Sequence, residues 1–536
     1  MPHPTRLLTL CTLALLLSGC GASPSAPTPG DGPPYAPEDA LSTFEIEDGF
    51  QIELVAAEPL VMDPVAMDID EVGRIYVVEM PGYPLDKGGT GRIKMLKDTD
   101  GDGRPDTATL FADSLTLPTG IMRWKQGVLV TDAPNVLYLE DTDGDGRADV
   151  RRVVLTGFAL SNAQANVNKP LYGLDNWIYL ANNGPVWRTR AHAELFGDRG
   201  EEIVFPDHPD APRLGRNGLD RNVRFRPDTH ELEALAGKSQ FGQTFDAWGH
   251  HFLVDNSHHN YHEVLAAPYF ERNPGLPIRR ATHDTPDHGN AAVVYPITEN
   301  PEHQLLTDRG VFTSACGITY YLGGAFPPPY NTNAVFVAEP VHNLVHVDRM
   351  ADAGATYTAS RVLEGREFLA SIDSWFRPVN FTVGPDGALY VVDYYRQIVE
   401  HPEWMDEATI QAGNLTRGSD RGRIYRITPR GSDPLSWHDA LALGDAGVAD
   451  LVDHLAHPNG WWRRNAQRLL VDRQDEAAVD PLVRLFQESP SAEARVHALW
   501  TLDGLGRLDP ALIEQALTDE AEGVRENAIL LTEIYL

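Results

Sequence analysis

Short apolar runs separated by turns rich in Gly, Asp and Pro characterise the chain from about Phe44 to Thr428. One phrase recurs, in which a Gly- or Asp-containing turn precedes a strand rich in Val, Ile and Tyr: EVGRIYVVEM at 71–80, GLDNWIYLANNG at 173–184, NTNAVFVAEP at 331–340 and GPDGALYVVDYY at 384–395. Repetition of a small antiparallel unit is typical of a β-propeller. We therefore predict a mainly β chain with a propeller over residues 44–430, and a pair of β-sandwiches is the alternative. At about 40–50 residues per blade this segment holds six to eight blades, and we favour six.

The pattern becomes helical after about Asp433, where apolar residues recur at i, i+3 and i+4 in VADLVDHLAH, AAVDPLVRLF and PALIEQAL. An Arg-x-x-Ala motif begins at Arg463, Arg495 and Arg525, with spacings of 32 and 30 residues. These repeats predict a HEAT-like α-helical solenoid over 433–536, and a non-repetitive helical bundle is the alternative. The apolar ending ILLTEIYL predicts either that the natural protein continues or that the last helix docks on another surface.

The first twenty residues predict an exported lipoprotein. Arg6 precedes the apolar run Leu7–Leu17, which is too short for a bilayer span of roughly 20 residues. The sequence Leu-Ser-Gly-Cys that follows resembles a bacterial lipobox ending at Cys20. We expect a signal peptide over 1–20, lipidation of Cys20 and a lipid anchor in the periplasm or at the outer membrane. An ordinary secretory signal with a chance cysteine is the alternative. Residues 21–43 begin with a Pro-, Gly- and Ser-rich stretch and are predicted to be a flexible linker.

Composition excludes several classes of function. The chain carries 44 basic and 77 acidic residues, a formal charge of −33, so we expect no nucleic-acid partner. Beyond the leader the only cysteine is Cys316, which leaves no disulfide framework. No CxxCH motif is present, and c-type haem attachment to this chain is therefore excluded.

Two nearly identical acidic loops, DTDGDGRPD at 98–106 and DTDGDGRAD at 141–149, predict calcium binding. Alternate carboxylates separated by glycines can surround one hard cation, as in the first half of an EF-hand loop. The EF-hand glutamate is replaced by Thr109 and Arg152, so these loops are not EF-hands. An acidic turn without metal is the alternative. The predicted ligands are the side chains of Asp98, Asp100, Asp102, Asp106, Asp141, Asp143, Asp145 and Asp149.

Two further groups of residues carry candidate chemistry. The segment DNSHHNYHEVL holds His258, His259 and His262, whose neutral imidazoles suit a transition metal or a general base. A polar loop with solvated histidines is the alternative. Arg377 precedes one predicted strand, and Asp393 and Arg396 lie at the end of the next. A guanidinium there can bind a ligand carboxylate, and a salt bridge between blades is the alternative.

Much of the predicted propeller resembles a known family. The segments QFGQTFDAWGHHFLVDNSHHNYHEV, TSACGITYY and EFLASIDSWFRPVNFTVGPDGALYVVDYYRQIVEHPEW are similar to the membrane-bound dehydrogenase-type proteins of planctomycetes and verrucomicrobia. Their propeller is related to quinoprotein glucose/sorbosone dehydrogenases. The resemblance implies oxidation of a sugar or alcohol with pyrroloquinoline quinone, and a separate cytochrome c as electron acceptor.

An oxidoreductase of this kind would need residues for catalysis and cofactor binding, and we assign candidates for both. Arg377, His259 and His262 would be catalytic, with a histidine as base. The cofactor would contact Arg224, Asn168, Asp393 and Arg396. The family's usual base is absent, because the matching stretch NAQANVNKPLYGLDNWIY has Gln164, Asn166 and Asn168 but no histidine. An amide cannot take a proton at neutral pH. Two hypotheses therefore remain, a quinoprotein-type oxidoreductase and a non-catalytic module that binds a glycan or a protein at the cell envelope.

Overall fold

A computed structural model of the chain describes residues 32–185, 197–273, 275, 277–298, 309–405, 407–411, 414–432 and 441–535. These residues form a six-bladed β-propeller followed by a region of helices, as predicted. The predicted signal peptide, including Cys20, lies outside the described residues. Within the described part of the chain, no helix is long and apolar enough to cross a membrane.

Of the 28 strands in the described residues, 24 form six antiparallel blades of four strands, each of which begins with its innermost strand. Blades one to three contain β3 Pro64–Ile69, β4 Ile75–Glu79, β5 Gly91–Lys97, β6 Thr107–Leu115; β7 Gly120–Trp124, β8 Gly127–Asp132, β9 Asn135–Glu140, β10 Val150–Thr156; and β11 Asn168–Tyr172, β12 Ile178–Ala181, β15 Val223–Arg226, β16 Glu231–Ala234. Blades four to six contain β17 Gln243–Phe245, β18 His251–Asp255, β19 His258–Glu263, β20 Thr282–Asp284; β21 Cys316–Tyr320, β22 Ala334–Glu339, β23 Leu344–Asp352, β24 Tyr357–Arg361; and β26 Pro378–Val383, β27 Leu389–Asp393, β28 Arg423–Pro429, β2 Phe50–Ala57. The remaining strands are β1 Phe44–Ile46, β25 Leu369–Ser371, β13 Glu202–Ile203 and β14 Leu214–Arg216.

The ring is closed by the beginning of the chain. Strand β2 pairs with β28 and supplies the outermost strand of blade six, whose other strands come from residues 378–429. Strand β1 extends the sheet of blade five by pairing with β25. Residues 32–43, predicted as the end of a flexible linker, lie against the propeller, where Trp375 Nε1 donates to Gly32 O and Tyr35 N donates to the Tyr395 hydroxyl.

The recurring sequence phrase corresponds to the turn between the first and second strands of a blade. An Asp side chain in this turn accepts the backbone N–H two residues later, for example Asp70 from Val72, Asp246 from Trp248 and Asp386 from Ala388. Short acidic side chains favour such turns because they replace a backbone acceptor. The second strand is buried along its whole length in blades one and six, for example, since blades pack on both of its faces. We call the side of the ring with these turns the lower face, and the opposite side the upper face.

The described helices begin with the short α1 Pro37–Ala40, α2 Ala267–Arg272 and α3 Glu407–Gln411, and 3₁₀ turns occur at Leu41–Thr43, Asn217–Asp220, Pro340–His342, Pro402–Trp404, Asn414–Thr416 and Glu476–Ala478. The C-terminal region then contains three successive helix pairs: α4 Val448–His454 with α5 Gly460–Arg473, α6 Val479–Glu488 with α7 Ala492–Gly504, and α8 Pro510–Ala516 with α9 Glu522–Tyr535. The HEAT assignment itself remains a prediction.

The three Arg-x-x-Ala motifs occupy equivalent positions in these pairs. Arg463, Arg495 and Arg525 each donate from Nη1 to the carbonyl six residues earlier, in the turn before their helix. The alanine of each motif is fully buried. The arginine therefore fixes the turn, while the small residue allows close packing of neighbouring helices.

The helical region packs on the lower face of the propeller. Trp462 Nε1 donates to Pro385 O, and Asn527 Nδ2 donates to Trp248 O. Arg468 forms a salt bridge with Glu71 in the turn of blade one. Leu174 and Trp248 of the propeller pack against the same apolar cluster as the helices. The two parts of the chain therefore share one core at this interface.

Candidate ligand site at the propeller axis

A cavity of about 150 Å³ lies where the inner strands meet the helical region. All six inner strands contribute to its wall, and α5 closes it from below together with His497 of α7. Its polar lining includes Asp68 of β3, Lys169 of β11, Gln243 of β17, Asn380 of β26 and Arg464 of α5. Because the axis narrows between the inner strands, side chains from distant parts of the sequence meet here.

Arg464 is the distinctive side chain of this cavity. It makes no hydrogen bond and no salt bridge to any residue that the structure describes. Its neighbour Arg463 is bound to carbonyls, and Arg468 on the next turn is paired with Glu71. Burial lowers the pKa of Arg464, and the Asp68 carboxylate opposes this effect. A charged group with five donors is therefore left facing a small enclosed space.

Lys169 provides a second cation at the same wall. Its ammonium donates to Asn380 Oδ1 at 2.7 Å and to Phe381 O at 2.8 Å. Burial lowers its pKa to about 7, an effect that Asp68 opposes and the nearby Arg464 charge reinforces. The residue has a positive φ of 44°, which is uncommon outside glycine and occurs often at binding sites.

The position of Arg464 depends on how α5 is held. Gln467 donates to Leu174 O and to Asn176 Oδ1, both at 2.7 Å, and its side-chain oxygen lies 2.6 Å from His497 Nδ1. Burial, reinforced by Arg463 and Arg464, lowers the pKa of His497, so its imidazole is neutral. These contacts join the helix to the lower turn of blade three and fix the side of α5 that faces the axis.

The arrangement suits a small anion. Arg464 and Lys169 offer two cationic donors. Both acidic side chains of the lining are already engaged: Asp68 accepts from Arg123 N and Ile69 N, and Asp246 accepts from Trp248 N and lies 2.6 Å from His250 Nδ1. A cavity of about 150 Å³ elsewhere accommodates a molecule the size of benzene. Typical pockets for drug-sized ligands are larger, roughly 300–1,000 Å³. A ligand of about six non-hydrogen atoms therefore matches this site.

Three residues predicted to contact substrate or cofactor lie at the upper face, where other groups of the protein bind them; of the three, Asp393 keeps one buried oxygen, Oδ2, without a partner among the described residues. Arg377 donates to the carbonyls of Pro340, Arg396 and Gln397. Arg396 forms a fully buried salt bridge of 2.7 Å with Asp63 of blade one. Asp393 accepts from Arg377 N and from Tyr395 N, and burial raises its pKa to about 8. These groups hold the upper loops in place.

The other predicted cofactor contacts are equally occupied. Asn168 donates to Asn166 O and Gln240 O, and its side-chain oxygen accepts from Gly242 N. Arg224 lies on the third strand of blade three, where it pairs with Asp175 and Glu233 and stacks over Trp177. Pyrroloquinoline quinone carries carboxylates that need free cationic partners. The assigned arginines and Asn168 are already paired, and Asp393 is an acid that offers a carboxylate no cationic partner. The axial cavity is also smaller than usual cofactor pockets, so these residues do not fit the quinone.

His259 and His262 lie on β19, between blades four and five. His262 Nδ1 is 3.2 Å from Thr356 Oγ1 of the neighbouring blade, and burial lowers the pKa of this histidine to about 4. His259 faces Asp348 of β23. The contacts of Arg377 are on blades five and six, and those of Arg224 are within blade three. The structure therefore does not bring these four predicted residues into one pocket.

The two acidic loops occupy the same place in adjacent blades, between β5 and β6 and between β9 and β10. In each loop three carboxylates converge, Asp98, Asp100 and Asp106 in the first and Asp141, Asp143 and Asp149 in the second. Asp102 and Asp145 instead accept the backbone N–H groups of Arg104 and Arg147. Calcium binding by these eight residues remains a prediction.

Glu400 is a candidate acid–base group that the sequence patterns did not single out. It lies on the upper face, where its Oε1 accepts from His401 N at 2.8 Å and the carboxylate accepts from Gln164. Burial raises its pKa to about 7. Gln164 also donates to the Tyr83 hydroxyl at 2.7 Å. The carboxyl therefore contacts the segment in which the dehydrogenase-type base is missing. Arg464 and Lys169 were also missed, because neither belongs to a recognisable local motif.

The family model of the domain of unknown function DUF7133 matches residues 36–431. A protein from Thermus thermophilus named as a glucose dehydrogenase is 17% identical, with a TM-score of 0.39, over 71% of this chain and 100% of its own. The PQQ domain of pyranose dehydrogenase from Coprinopsis cinerea is 13% identical, with a TM-score of 0.39, over 76% and 99%. The soluble aldose sugar dehydrogenase of Escherichia coli is 13% identical, with a TM-score of 0.33, over 71% and 100%. No curated protein matches the chain. At these values the likeness concerns the propeller fold alone.

Proposed function

We propose that this chain, which belongs to the DUF7133 family, binds a small anion between the propeller and the helical region. The anion would be a short carboxylate or an oxyanion of the size of phosphate. The observation that carries this proposal is Arg464, a guanidinium that faces the cavity without a partner in the described chain. Guanidinium groups bind carboxylates and phosphates through two parallel hydrogen bonds. The proposal keeps the hypothesis of a non-catalytic binding module but replaces its glycan or protein ligand with a small anion.

Ligand binding would use the two cations differently. Arg464 is charged throughout the neutral range, whereas Lys169 has a pKa of about 7 and is only partly protonated there. An anion beside Lys169 favours its charged form and raises its pKa. The affinity should therefore be highest below pH 7 and fall by up to about tenfold per pH unit above it, because a proton must then be taken up with the ligand.

Isothermal titration calorimetry of the full chain with glycerate and with inorganic phosphate, as separate probes, tests the proposal. We expect one site for at least one of the two anions, and its identity distinguishes a carboxylate site from a phosphate site. Arg464→Gln should abolish binding, and Lys169→Gln should remove the pH dependence. Arg484→Gln, an exposed arginine on α6, is the matched control. Binding that is unchanged in Arg464→Gln would overturn the proposal.

Oxidation of a sugar or alcohol is the second candidate function, and Glu400 is the observation that favours it. A carboxyl with a pKa of about 7 is suited to accept a hydroxyl proton near neutral pH. The electrons would leave to an external quinone-type acceptor or a separate cytochrome c. Because the residues assigned to pyrroloquinoline quinone do not fit it, dye reduction with a panel of sugars is measured both with and without added pyrroloquinoline quinone and Ca²⁺. Glu400→Gln should abolish it without change in thermal stability; no turnover by wild-type protein would dismiss it.

The cellular setting is part of the proposal. Cys20 would carry a lipid that holds the chain in the periplasm or at the outer membrane, and calcium would occupy the acidic loops. Labelling with a radioactive fatty acid tests the anchor. We expect incorporation into wild-type protein and none into Cys20→Ala, and equal labelling of the two would contradict lipidation at this residue.

A further inference from the structure

Three histidines and one aspartate meet at the boundary between blades four and five. His259 belongs to β19 of blade four, and His346 and Asp348 belong to β23 of blade five. His288 lies in the segment that follows β20. One potential ligand atom from each of the four lies within 4.8 Å of all the others. The group is separate from the axial cavity, whose lining contains none of these residues.

The distances within the group match those around a small metal ion. Asp348 Oδ2 lies 3.1 Å from His259 Nε2, and Asp348 Oδ1 lies 3.0 Å from His346 Nε2 and 3.7 Å from His288 Nε2. Nitrogen and oxygen ligands bind Zn²⁺ at about 2.0–2.2 Å, and a tetrahedral arrangement then separates neighbouring ligand atoms by about 3.3–3.5 Å. The two separations from Asp348 Oδ1 lie on either side of this range, and His259 lies at a similar distance from the other oxygen of the same carboxylate.

The outer nitrogens of two of the histidines are held by carboxylates. His346 Nδ1 is 2.7 Å from Glu367 Oε2, and His288 Nδ1 is 3.0 Å from Asp287 Oδ1. Asp287 is itself fixed by Ser360, whose hydroxyl donates to its other oxygen. A histidine that binds metal through one nitrogen characteristically donates its other N–H to a carboxylate or carbonyl. These contacts orient both Nε2 atoms toward Asp348.

Unpaired polar atoms also point to a missing occupant. His288 Nε2 is buried and has no hydrogen-bond partner among the described residues, although it faces Asp348. His259 is fully buried and stacks on Phe312 with ring centroids 4.3 Å apart. The side chain of His288 is 16% exposed, so an ion can reach the group from this side. Buried polar groups are otherwise almost always satisfied.

We propose that His259, His288, His346 and Asp348 bind a divalent transition-metal ion of the zinc class, which joins blade four to blade five. Three imidazoles and one carboxylate are a nitrogen-rich set that favours Zn²⁺ and its neighbours over Ca²⁺ or Mg²⁺. Four protein ligands fill a tetrahedral shell, which is typical of structural zinc sites. The site is therefore distinct in chemistry from the all-oxygen acidic loops and does not depend on the axial ligand.

A histidine–aspartate network held by hydrogen bonds alone is the competing explanation. In that case Asp348 would accept from His259 and His346, and His288 would take no part. His288 therefore separates the two explanations. Its loss removes one of four metal ligands but no hydrogen bond of the network.

The test is the metal content of the full chain, purified and dialysed after incubation with Zn²⁺ in the presence of excess Ca²⁺. We expect about one equivalent of zinc in wild-type protein and a pronounced loss in His288→Ala. His258→Ala is the matched control, because His258 is the neighbour of His259 on β19 and is not part of the group. Circular dichroism checks that each variant is folded.

Cobalt(II) substitution gives an independent readout. We expect the visible absorption of a four-coordinate cobalt centre in wild-type protein and in His258→Ala, and its loss in His288→Ala. A chelator should lower the thermal unfolding midpoint of the wild type and leave that of His288→Ala unchanged. Absence of retained zinc in the wild type, or equal zinc content in wild type and His288→Ala, would overturn the proposal.

Discussion

The contact between His250 and α9 predicts that docking of the helical region depends on pH. His250 Nδ1 lies 2.6 Å from Asp246 Oδ2, and its Nε2 lies 3.0 Å from Glu526 Oε1 of the helix. The Tyr357 hydroxyl, 2.7 Å from Nδ1, and the ring of His262 complete its surroundings. Burial alone would lower the pKa of His250, but the hydrogen bonds and charges of Asp246 and Glu526 raise it to about 10.

The direction of this pKa shift determines how the stability of the fold changes with pH. A histidine whose pKa is higher in the folded protein stabilises the fold fully below its unfolded pKa of about 6.5 and loses this contribution as the pH rises through about 10. The largest contribution that this charge can make to the free energy of unfolding is about 5 kcal/mol, at about 1.4 kcal/mol per pKa unit. Because the Glu526 side chain is 51% exposed, solvent screening reduces the expected contribution to about 2 kcal/mol.

Replacement of His250 by glutamine tests this reasoning, since the amide keeps hydrogen-bonding capacity without the charge. We expect the thermal unfolding midpoint of His250→Gln to lie below that of wild type at pH about 6 and to approach it at pH about 10.5. Asn527→Ala is the control, because Asn527 belongs to the same interface and does not titrate. A difference between His250→Gln and wild type that stays constant over this pH range would refute the assigned role of the charge.

Three further predictions concern packing, a buried ion pair and the acidic loops. A methyl group at Gly523 would lie 2.3 Å from the Trp248 ring, so Gly523→Ala should lower the unfolding midpoint by the equivalent of about 1–3 kcal/mol. Gly447→Ala is the control and should leave the midpoint unchanged, because the nearest atom to its methyl group would be 3.5 Å away. Asp63→Asn leaves the Arg396 charge buried without its partner and should lower the free energy of unfolding by about 3–5 kcal/mol, as measured with a denaturant. An unchanged unfolding transition would show that this ion pair does not stabilise the fold. Calcium at about 100 times its dissociation constant should stabilise the wild type by about 2.7 kcal/mol per bound ion and so raise its unfolding midpoint. It should have no effect on an Asp98→Asn, Asp141→Asn double variant, and equal responses would argue against calcium in these loops.

The architecture could be predicted from the sequence because it follows from local patterns. The period of the apolar residues separates strands from helices, and aspartates such as Asp70 and Asp386 mark a turn by accepting a nearby N–H. The Arg-x-x-Ala repeat likewise has a local basis, since each arginine binds a carbonyl only six residues away. Such contacts leave a signal in a single stretch of sequence.

The sites could not be predicted in this way because their members come from distant parts of the chain. His259 meets His346 and Asp348 only because β19 and β23 face each other in neighbouring blades. The histidines beside it in sequence lie elsewhere, so the cluster HHNYH was a poor guide to the group that forms. Only the spacing of His346 and Asp348, two residues apart on one strand face, was a usable local sign.

The two ends of the propeller axis differ in how their cationic side chains are paired. This difference explains why the arginines at the strand ends suggested a cofactor site, whereas the cation without a partner lies at the opposite end. At the upper face the arginines are buried because the loops are long, and the carbonyls of those loops consume the guanidinium donors, as Arg377 illustrates. At the lower face the turns are short, and the helical region supplies the covering layer instead. That layer brings Arg464 to the axis without a carbonyl or carboxylate to receive it among the described residues. A half-buried cation without a protein partner loses part of its hydration, and an anion bound at this place offsets that cost. Ligand binding and docking of the helical region should therefore reinforce each other, since each stabilises the arrangement that the other requires.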